Sequence, residues 1–458
     1  MRDLREFIAA LEGSHARDFL SVDTPLSGRH ELAAVTGALA AKMRVPVIVY
    51  RSVSGTAMPV VHNVCASMQR IAKAAGIDRD ALQQRLATAE SRLLPPTVLE
   101  KPDTTSAPVL ECVFTGEALD LGTLPAILHD AAQQEPYINA AQVVARDPES
   151  GACNLSFHRL MHLDAHELAI CMTPGGHLRR IFEHNRQAGR DTPIGMFIGA
   201  HPLWSLGALA GGSLDSDEYA VTGGLLGQPI ELIRGRVHEE LLLPARAEIL
   251  LEGTISCRET ADEGPYGEAM GYVSDRKPQP VVHVEVMAQR EGALYQDIVP
   301  GQHEHLTMSS TMIELPLRER LGKRYPAIVA MAFDAPMSLQ IALGREGAPD
   351  PGALIREILA KERFVKRVVV FADDVDLADR RAREAALSLM VQGDSDIVVV
   401  PDQHGSGVDP SERDGRTAKW GIDATGYGKA AGKARRNRLP EHLAEAMNLD
   451  ALVRSLLN

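Results

Sequence analysis

Around Ile138–Val144 the hydrophobic pattern of this chain turns to strands, and it stays with strands as far as Ala293–Val299. So long a stretch with so few helical patterns has to close or stack its sheet, which predicts a barrel or sandwich in the middle of the chain. Within it, Asn154 to Thr173 reads as a β-hairpin. Phe157, Arg159, Met161 and Leu163 alternate with Ser156, His158, Leu160 and His162, Asp164–Glu167 supplies a polar turn, and Leu168–Met172 runs back. Ala247–Leu251 and Pro280–Met287 are further strands. The flanks have another grammar. Leu4–Leu11 and Glu31–Met43 have helical spacing around the short strand Val45–Tyr50, and Pro95, Pro96 and Pro102 mark a linker at Thr97–Ala107. From about Pro326 the strands Ile328–Phe333, Ser338–Leu343, Val368–Phe371 and Asp396–Val400 alternate with the helices Gly352–Lys361 and Ala378–Met390, as in an α/β domain. Pro440–Leu457 is amphipathic and reads as a helix packed on its own domain or on a second copy. The expectation is an α/β (α+β) multidomain protein divided at 1–107, 108–318 and 319–458.

Composition narrows the function. With 458 residues, two or three domains are expected. A formal charge of −13 disfavours binding to nucleic acid or an anionic membrane. The cysteines (Cys65, Cys112, Cys153, Cys171, Cys257) are odd in number and lack a CxxC pair, which suits a reducing compartment rather than a disulfide framework. The N-terminus has no signal-peptide pattern, and no apolar run approaches the ~20 residues that span a bilayer. A cytoplasmic enzyme is expected.

Four motifs carry chemistry. In Asp262-Glu263-Gly264-Pro265-Tyr266-Gly267-Glu268, two glycines and a proline hold two carboxylates across a tight turn. Such a pair divides labour when one stays ionised against a cation and the other is driven toward its neutral, acidic form. The alternative is an acidic surface turn. In Asn154-Leu155-Ser156-Phe157-His158-Arg159, the arginine offers a fork for a carboxylate and the asparagine an oxygen for a hard metal. Read alone, this is a polar strand. On a regular strand Asn154 and Arg159 face opposite sides, so a bulge or two directions of approach must intervene if both serve one ligand. Thr173-Pro174-Gly175-Gly176-His177 is a glycine-rich turn entering a helix, either an anion cradle or an ordinary connection. In Asp217-Glu218-Tyr219, ahead of Pro229-Ile230-Glu231-Leu232, Glu218 by itself is an ordinary loop acid.

Together and in this order, the four motifs resemble the UbiD family, whose pattern joins an N-x4-R strand, a histidine after a Gly-rich turn, an E-Y acid followed by G-x-P-[IV]-E, and E-G-P-[FY]-G-E. Lys419-Trp420-Gly421-Ile422-Asp423-Ala424-Thr425 is similar to the family's late lysine segment. The resemblance implies a central split β-barrel that binds prenylated FMN, and reversible, non-oxidative decarboxylation of an unsaturated, aromatic or heteroaromatic acid through a covalent adduct. It implies Asn154, His177 and Glu218 as ligands of a divalent metal, usually manganese, with potassium as a further ion. Phe157, His158, Arg159 and Gly176 lie at the cofactor, Lys419 at its phosphate, and Arg159, Glu263 and Glu268 form the catalytic set with Glu268 as proton donor. A flavin prenyltransferase would supply the cofactor, and a homodimer or higher homo-oligomer is implied. Gln302–Thr307 and Pro326–Met331 are expected to line the substrate pocket, with His303 or His305 meeting a second polar group. The rival readings are a split-barrel flavin oxidoreductase, a non-catalytic binding protein that keeps the fold, and a physiological carboxylase.

Overall fold

The computed structural model describes residues 1–13, 18–173, 175–210, 217–406 and 409–427, so the Pro440–Leu457 helix expected above lies outside the described residues. The protein is a mixed α/β multidomain chain, and it divides into two units, residues 1–320 with 405–412, and residues 321–404 with 413–458.

In the first unit a four-stranded sheet runs in the order Phe19–Val22, Val47–Tyr50, Val60–His62, Tyr295–Gln296. Val47–Tyr50 is a run of apolar residues buried at every position, as a strand covered on both faces must be. The segment expected to add a barrel strand at Ala293–Val299 joins this sheet instead. Tyr295 pairs with Val60 in parallel, and the Asp297 N–H donates to the Val61 carbonyl. Sequence patterning registers a strand but not its distant partner.

The larger sheet follows the path Cys153–Phe157, Gln142–Arg146, Thr192–Ile198, Ile249–Glu263, Lys277–Gln289, Glu167–Ile170, Leu160–His162, Tyr137–Ile138, with Cys112–Thr115 also on Lys277–Gln289. Its spine is the antiparallel pair Ile249–Glu263 and Lys277–Gln289, with register shifts at Glu252/Gly253 and Ile255/Thr260. Such bulges bend a strand and raise its twist. The path curls strongly, because Cys153–Phe157 at one end and Leu160–His162 near the other are joined only by His158 and Arg159.

That connection corrects the hairpin reading. Leu160–His162 and Glu167–Ile170 do form a hairpin, Leu160 opposite Ile170. Cys153–Phe157 belongs to another neighbour, with Asn154 opposite Ala145. Between them the His158 N–H donates to the Ala141 carbonyl and the Cys171 N–H to the Arg159 carbonyl, so the chain changes partners across two residues. The alternation continues through the break, which is why it resembles one strand. It also removes the objection that Asn154 and Arg159 face opposite ways.

The second unit holds a five-stranded sheet in the order Ile328–Ala335, Ser338–Leu343, Arg367–Ala372, Arg416–Ala424, Ile397–His404. Helices Pro351–Lys361 and Arg380–Met390 fall where the pattern places them, and Asp350 and Asp379 cap them through their side chains. The fourth strand, Arg416–Ala424, carries the lysine motif and gave no strand signal.

Candidate active site

The Ile249–Glu263 strand ends on Glu263, and the chain turns sharply at Gly264, whose φ of +105° favours glycine. Tyr266–Gly267 then pairs back with Val273–Ser274, and the Glu268 N–H donates to the Tyr272 carbonyl. Asp130 Oδ2 accepts from the Gly267 N–H, at a place where a Cβ on residue 267 would lie 2.4 Å from that oxygen. This turn brings both carboxylates to Arg159.

Arg159 Nε and Nη2 reach Glu263 Oε1 and Oε2 at 2.8 and 3.1 Å, a fork-to-fork pair, while Nη1 reaches Glu268 Oε1 at 2.6 Å. The side chain of Glu263 is 1% exposed, that of Glu268 26% and that of Arg159 15%. Burial works against the arginine cation, but its hydrogen bonds to Glu263 and the surrounding negative charge outweigh it and raise the guanidinium pKa. Two tyrosines complete the cluster. The Tyr137 hydroxyl donates to Glu263 Oε1 at 2.9 Å, and the Tyr266 ring lies 4.2 Å below the Arg159 guanidinium. Burial, with the Glu263 charge adding to it, pushes the Tyr137 hydroxyl far up and keeps it a donor. Sequence reasoning quoted Tyr266 inside its motif without a role and missed Tyr137, for which no local signal exists.

His177 and Glu218 approach each other, while Asn154 is held on the strand Cys153–Phe157 by a relay of its own. The Asn154 amide nitrogen donates to Ser156 Oγ at 3.0 Å, Ser156 Oγ lies 2.9 Å from His158 Nε2, and His158 Nδ1 lies 3.0 Å from the Cys171 carbonyl. A carbonyl only accepts, so the proton sits on Nδ1 and Nε2 accepts from the serine. Burial lowers the His158 pKa to about 4, which keeps this ring neutral. The relay spends the amide nitrogen of Asn154 and turns its oxygen away.

Glu218 opens the helix Glu218–Leu226, and Asp217 is its cap, accepting from the Tyr219 and Ala220 N–H groups. Glu231 pairs with Arg246 at 2.6 Å. Glu218 is 4% exposed, and burial pushes its carboxyl up to about 7. Its Oε1 lies 3.5 Å from His177 Nδ1, and Oε2 is buried with no hydrogen-bond partner among the described residues. His177 begins the helix His177–Gln187 with Gly176 at the cap, an N-terminus suited to negative charge. Lys419 belongs to the second unit, where its buried Nζ donates to the Glu362 carbonyl at 2.6 Å.

Beside Tyr266 is a cavity of about 80 Å³, lined mainly by Phe157, Leu209, Ile298, Met308 and His305. The two last-named residues sit on the helix His303–Arg324, a segment in which sequence reasoning saw only a strand end. His305 Nδ1 accepts from the Gly301 N–H at 3.3 Å, leaving Nε2 to carry the proton when the ring is neutral. His303 is exposed at the start of the same helix.

Residues 14–90, 100–303 and 311–424 match the N-terminal, Rift-related and C-terminal domains of the 3-octaprenyl-4-hydroxybenzoate carboxy-lyase (UbiD) family. The anhydromevalonate phosphate decarboxylase of Methanothermobacter thermautotrophicus is 28% identical over 383 residues, which covers 82% of this chain and 88% of that protein. The UbiD-class enzyme HmfF from Pelotomaculum thermopropionicum, in complex with FMN, aligns with a TM-score of 0.88 at 30% identity, over 97% of this chain and 98% of that one. An evolved dimeric form of the same enzyme, in complex with prFMN, gives 0.85 at 28% identity, over 96% and 97%. With the family's three domains present in order, and the fold shared along nearly the whole length, the chain belongs to the UbiD family of carboxy-lyases.

Proposed function

We propose that this chain uses a prenylated FMN to remove CO₂ from a compact, unphosphorylated acid whose carboxylate sits on an unsaturated, aromatic or heteroaromatic carbon. The carrying observation is Arg159, held by Glu263 on one side and touching Glu268 on the other, beside a cavity with an apolar lining. Loss of CO₂ from an sp² carbon leaves electrons in the plane with no conjugation to spread them, and the bound cofactor supplies the place for them. The chain's own residues orient and move protons. Glu263 holds the Nε and Nη2 side of Arg159 and keeps the guanidinium from turning, and the Nη1 side, once Glu268 leaves it, receives the substrate carboxylate. Glu268, the more exposed of the two acids, releases Arg159, takes up a proton from solvent and delivers it to the vacated carbon, a contribution of about 10²–10⁴-fold. The apolar walls exclude water. In reverse the same arrangement fixes CO₂ when its concentration is high.

Asn154, His177 and Glu218 fit a divalent metal such as manganese. An amide oxygen, an imidazole and a buried carboxylate oxygen without a hydrogen-bond partner among the described residues make a mixed N/O donor set. Among the described residues no three His, Cys, Asp or Glu side chains form such a group, so the asparagine is needed to complete it. A split-barrel oxidoreductase would leave the Arg159 cluster without a task.

The relative from Methanothermobacter is named for a phosphorylated substrate. The described residues lining the cavity include no lysine or arginine, which favours a substrate without phosphate. The test is co-expression with a flavin prenyltransferase, then a screen for CO₂ release from cinnamic-type, aromatic, heteroaromatic and phosphorylated unsaturated acids. Turnover of unphosphorylated acids is expected; release from phosphorylated acids alone contradicts the substrate reading. The family setting also supports a cytoplasmic homo-oligomer, and no described helix is long and apolar enough to cross a membrane.

A further inference from the structure

Beneath Tyr266 runs a buried polar chain that the chemistry above does not use. The Tyr266 hydroxyl donates to Asn139 Oδ1 at 3.0 Å. Asn139 Nδ2 donates to the Ile298 carbonyl at 3.1 Å and lies against the His129 ring, 3.3 Å from Nδ1 and 3.4 Å from Nε2. His129 Nε2 lies 2.8 Å from Asp297 Oδ2, and His62 Nε2 lies 3.0 Å from the same oxygen. On the far side His62 Nδ1 meets Thr36 Oγ1 at 2.7 Å, which in turn meets the Tyr50 hydroxyl at 2.9 Å. Asp297 is fully buried, and the side chains of His62 and His129 are 1% and 2% exposed.

The chain has a direction, and two independent ends impose the same one. An ionised aspartate carries no proton, so His129 Nε2 must donate to it and Nδ1 is left to accept. The Ile298 carbonyl also only accepts, so the Asn139 amide nitrogen must face it. That orientation lays the second N–H against the His129 ring and turns Oδ1 toward Tyr266, whose hydroxyl then has to donate. A negative charge at Asp297, inside a buried hydrogen-bond chain, polarises the links on either side of it. Such a chain is a high-cost way to fill a core that apolar side chains would fill more simply.

We propose that Asp297, His129 and Asn139 are positioning residues that fix the Tyr266 ring under Arg159, and through it the guanidinium that holds Glu263 and Glu268. The Tyr266 ring also packs on Tyr137 at 4.8 Å between centroids, and Tyr137 holds Glu263, so one anchored ring braces both supports of the arginine. This inference deepens the reading of the same site and rests on it for its kinetic test only.

The first measurement needs no substrate. In full-length, flavin-loaded protein carrying ¹⁵N-histidine, with His129 assigned by comparison with His129→Gln, the ring proton should sit on Nε2 rather than Nδ1. Asp297→Asn should abolish that preference. The second measurement compares Tyr266→Phe, Asn139→Leu and the double variant for flavin occupancy, KM and kcat. Each single change should lower kcat roughly tenfold through misorientation, with KM and occupancy close to wild type. The double variant should lose no more than the worse single one, because both cut the same chain. Tyr266→Phe deletes only a hydroxyl and carries the kinetic test alone if Asn139→Leu does not fold. A proton on His129 Nδ1, an unchanged kcat in either single variant, or losses that multiply in the double overturns the proposal. A wild type that releases CO₂ from no acid instead removes the functional reading, and the tautomer still decides the hydrogen-bond chain.

Discussion

The Arg159 cluster and the Asn154 cluster lie on the same curled sheet and its helices, yet they are finished to different degrees. Around Arg159 all three guanidinium nitrogens have carboxylate partners between 2.6 and 3.1 Å, and a tyrosine ring covers one face. Around Glu218 the nearest imidazole nitrogen stands 3.5 Å away and one buried oxygen has no partner among the described residues. A buried unsatisfied oxygen costs about 1–3 kcal/mol unless a ligand completes it. The contrast separates two tasks. On the proposed function, the first cluster acts on the substrate and the second is completed by a ligand that binds.

The largest effect that would break this contrast is at Glu268. Glu268→Gln keeps shape and removes the proton donor, so kcat should fall by about 10²–10⁴ with flavin occupancy unchanged; turnover per bound flavin, measured by CO₂ release, checks this. Next is Arg159→Lys, which keeps the charge and loses the fork. A loss of about 10² in turnover per bound flavin is expected, since misplacement of the held group by about 1 Å has that effect. An arginine that merely satisfies Glu263 would instead show a lower Tm with nearly normal turnover in the loaded fraction. His177→Ala should act in the opposite way. Metal content and visible flavin absorbance should fall together several-fold, while each remaining loaded molecule turns over almost normally.

The smallest effect is on stability. Glu218 has a folded pKa raised to about 7 by burial, against about 4.3 in an unfolded chain. The folded state therefore binds the proton more tightly, and this stabilisation is full below about pH 4 and lost as pH rises through about 7. Buried Glu304 is raised to about 7 by burial as well and adds in the same sense. The Tm of metal-stripped protein should fall by a few degrees between about pH 5 and 7.5, and manganese should restore it. Glu218→Gln should remove part of the pH dependence and all of the response to manganese. A wild-type response to manganese in that variant would remove Glu218 from the ligand set.

What the sequence made legible was local. The strand grammar of the middle, the α/β alternation after Pro326 and the turn around Gly264 each depend on neighbours within a few residues. Such patterns survive folding. The break at His158–Arg159 was hidden because side-chain alternation does not register a change of hydrogen-bonding partner. The helix His303–Arg324 was not recognised, and it supplies His305 to the cavity. The chain under Tyr266 was the least visible part. His62, His129, Asn139 and Asp297 come from four separate segments, and a lone histidine in a sequence does not reveal that it will be buried against a carboxylate. The four motifs could be recognised in series only because their order matches a family pattern, and the distances among their side chains had to come from the fold.

The most direct test of the division between an acting cluster and a holding cluster is one paired measurement. Flavin occupancy, metal content and CO₂ release per bound flavin are determined on the same preparations of wild type, Glu268→Gln and Glu218→Gln. Glu268→Gln should keep wild-type flavin and metal and lose nearly all turnover per bound flavin. Glu218→Gln should lose flavin and metal together and keep most of the turnover per flavin that remains. Near-normal turnover in loaded Glu268→Gln, or full metal and flavin in Glu218→Gln, would contradict the account.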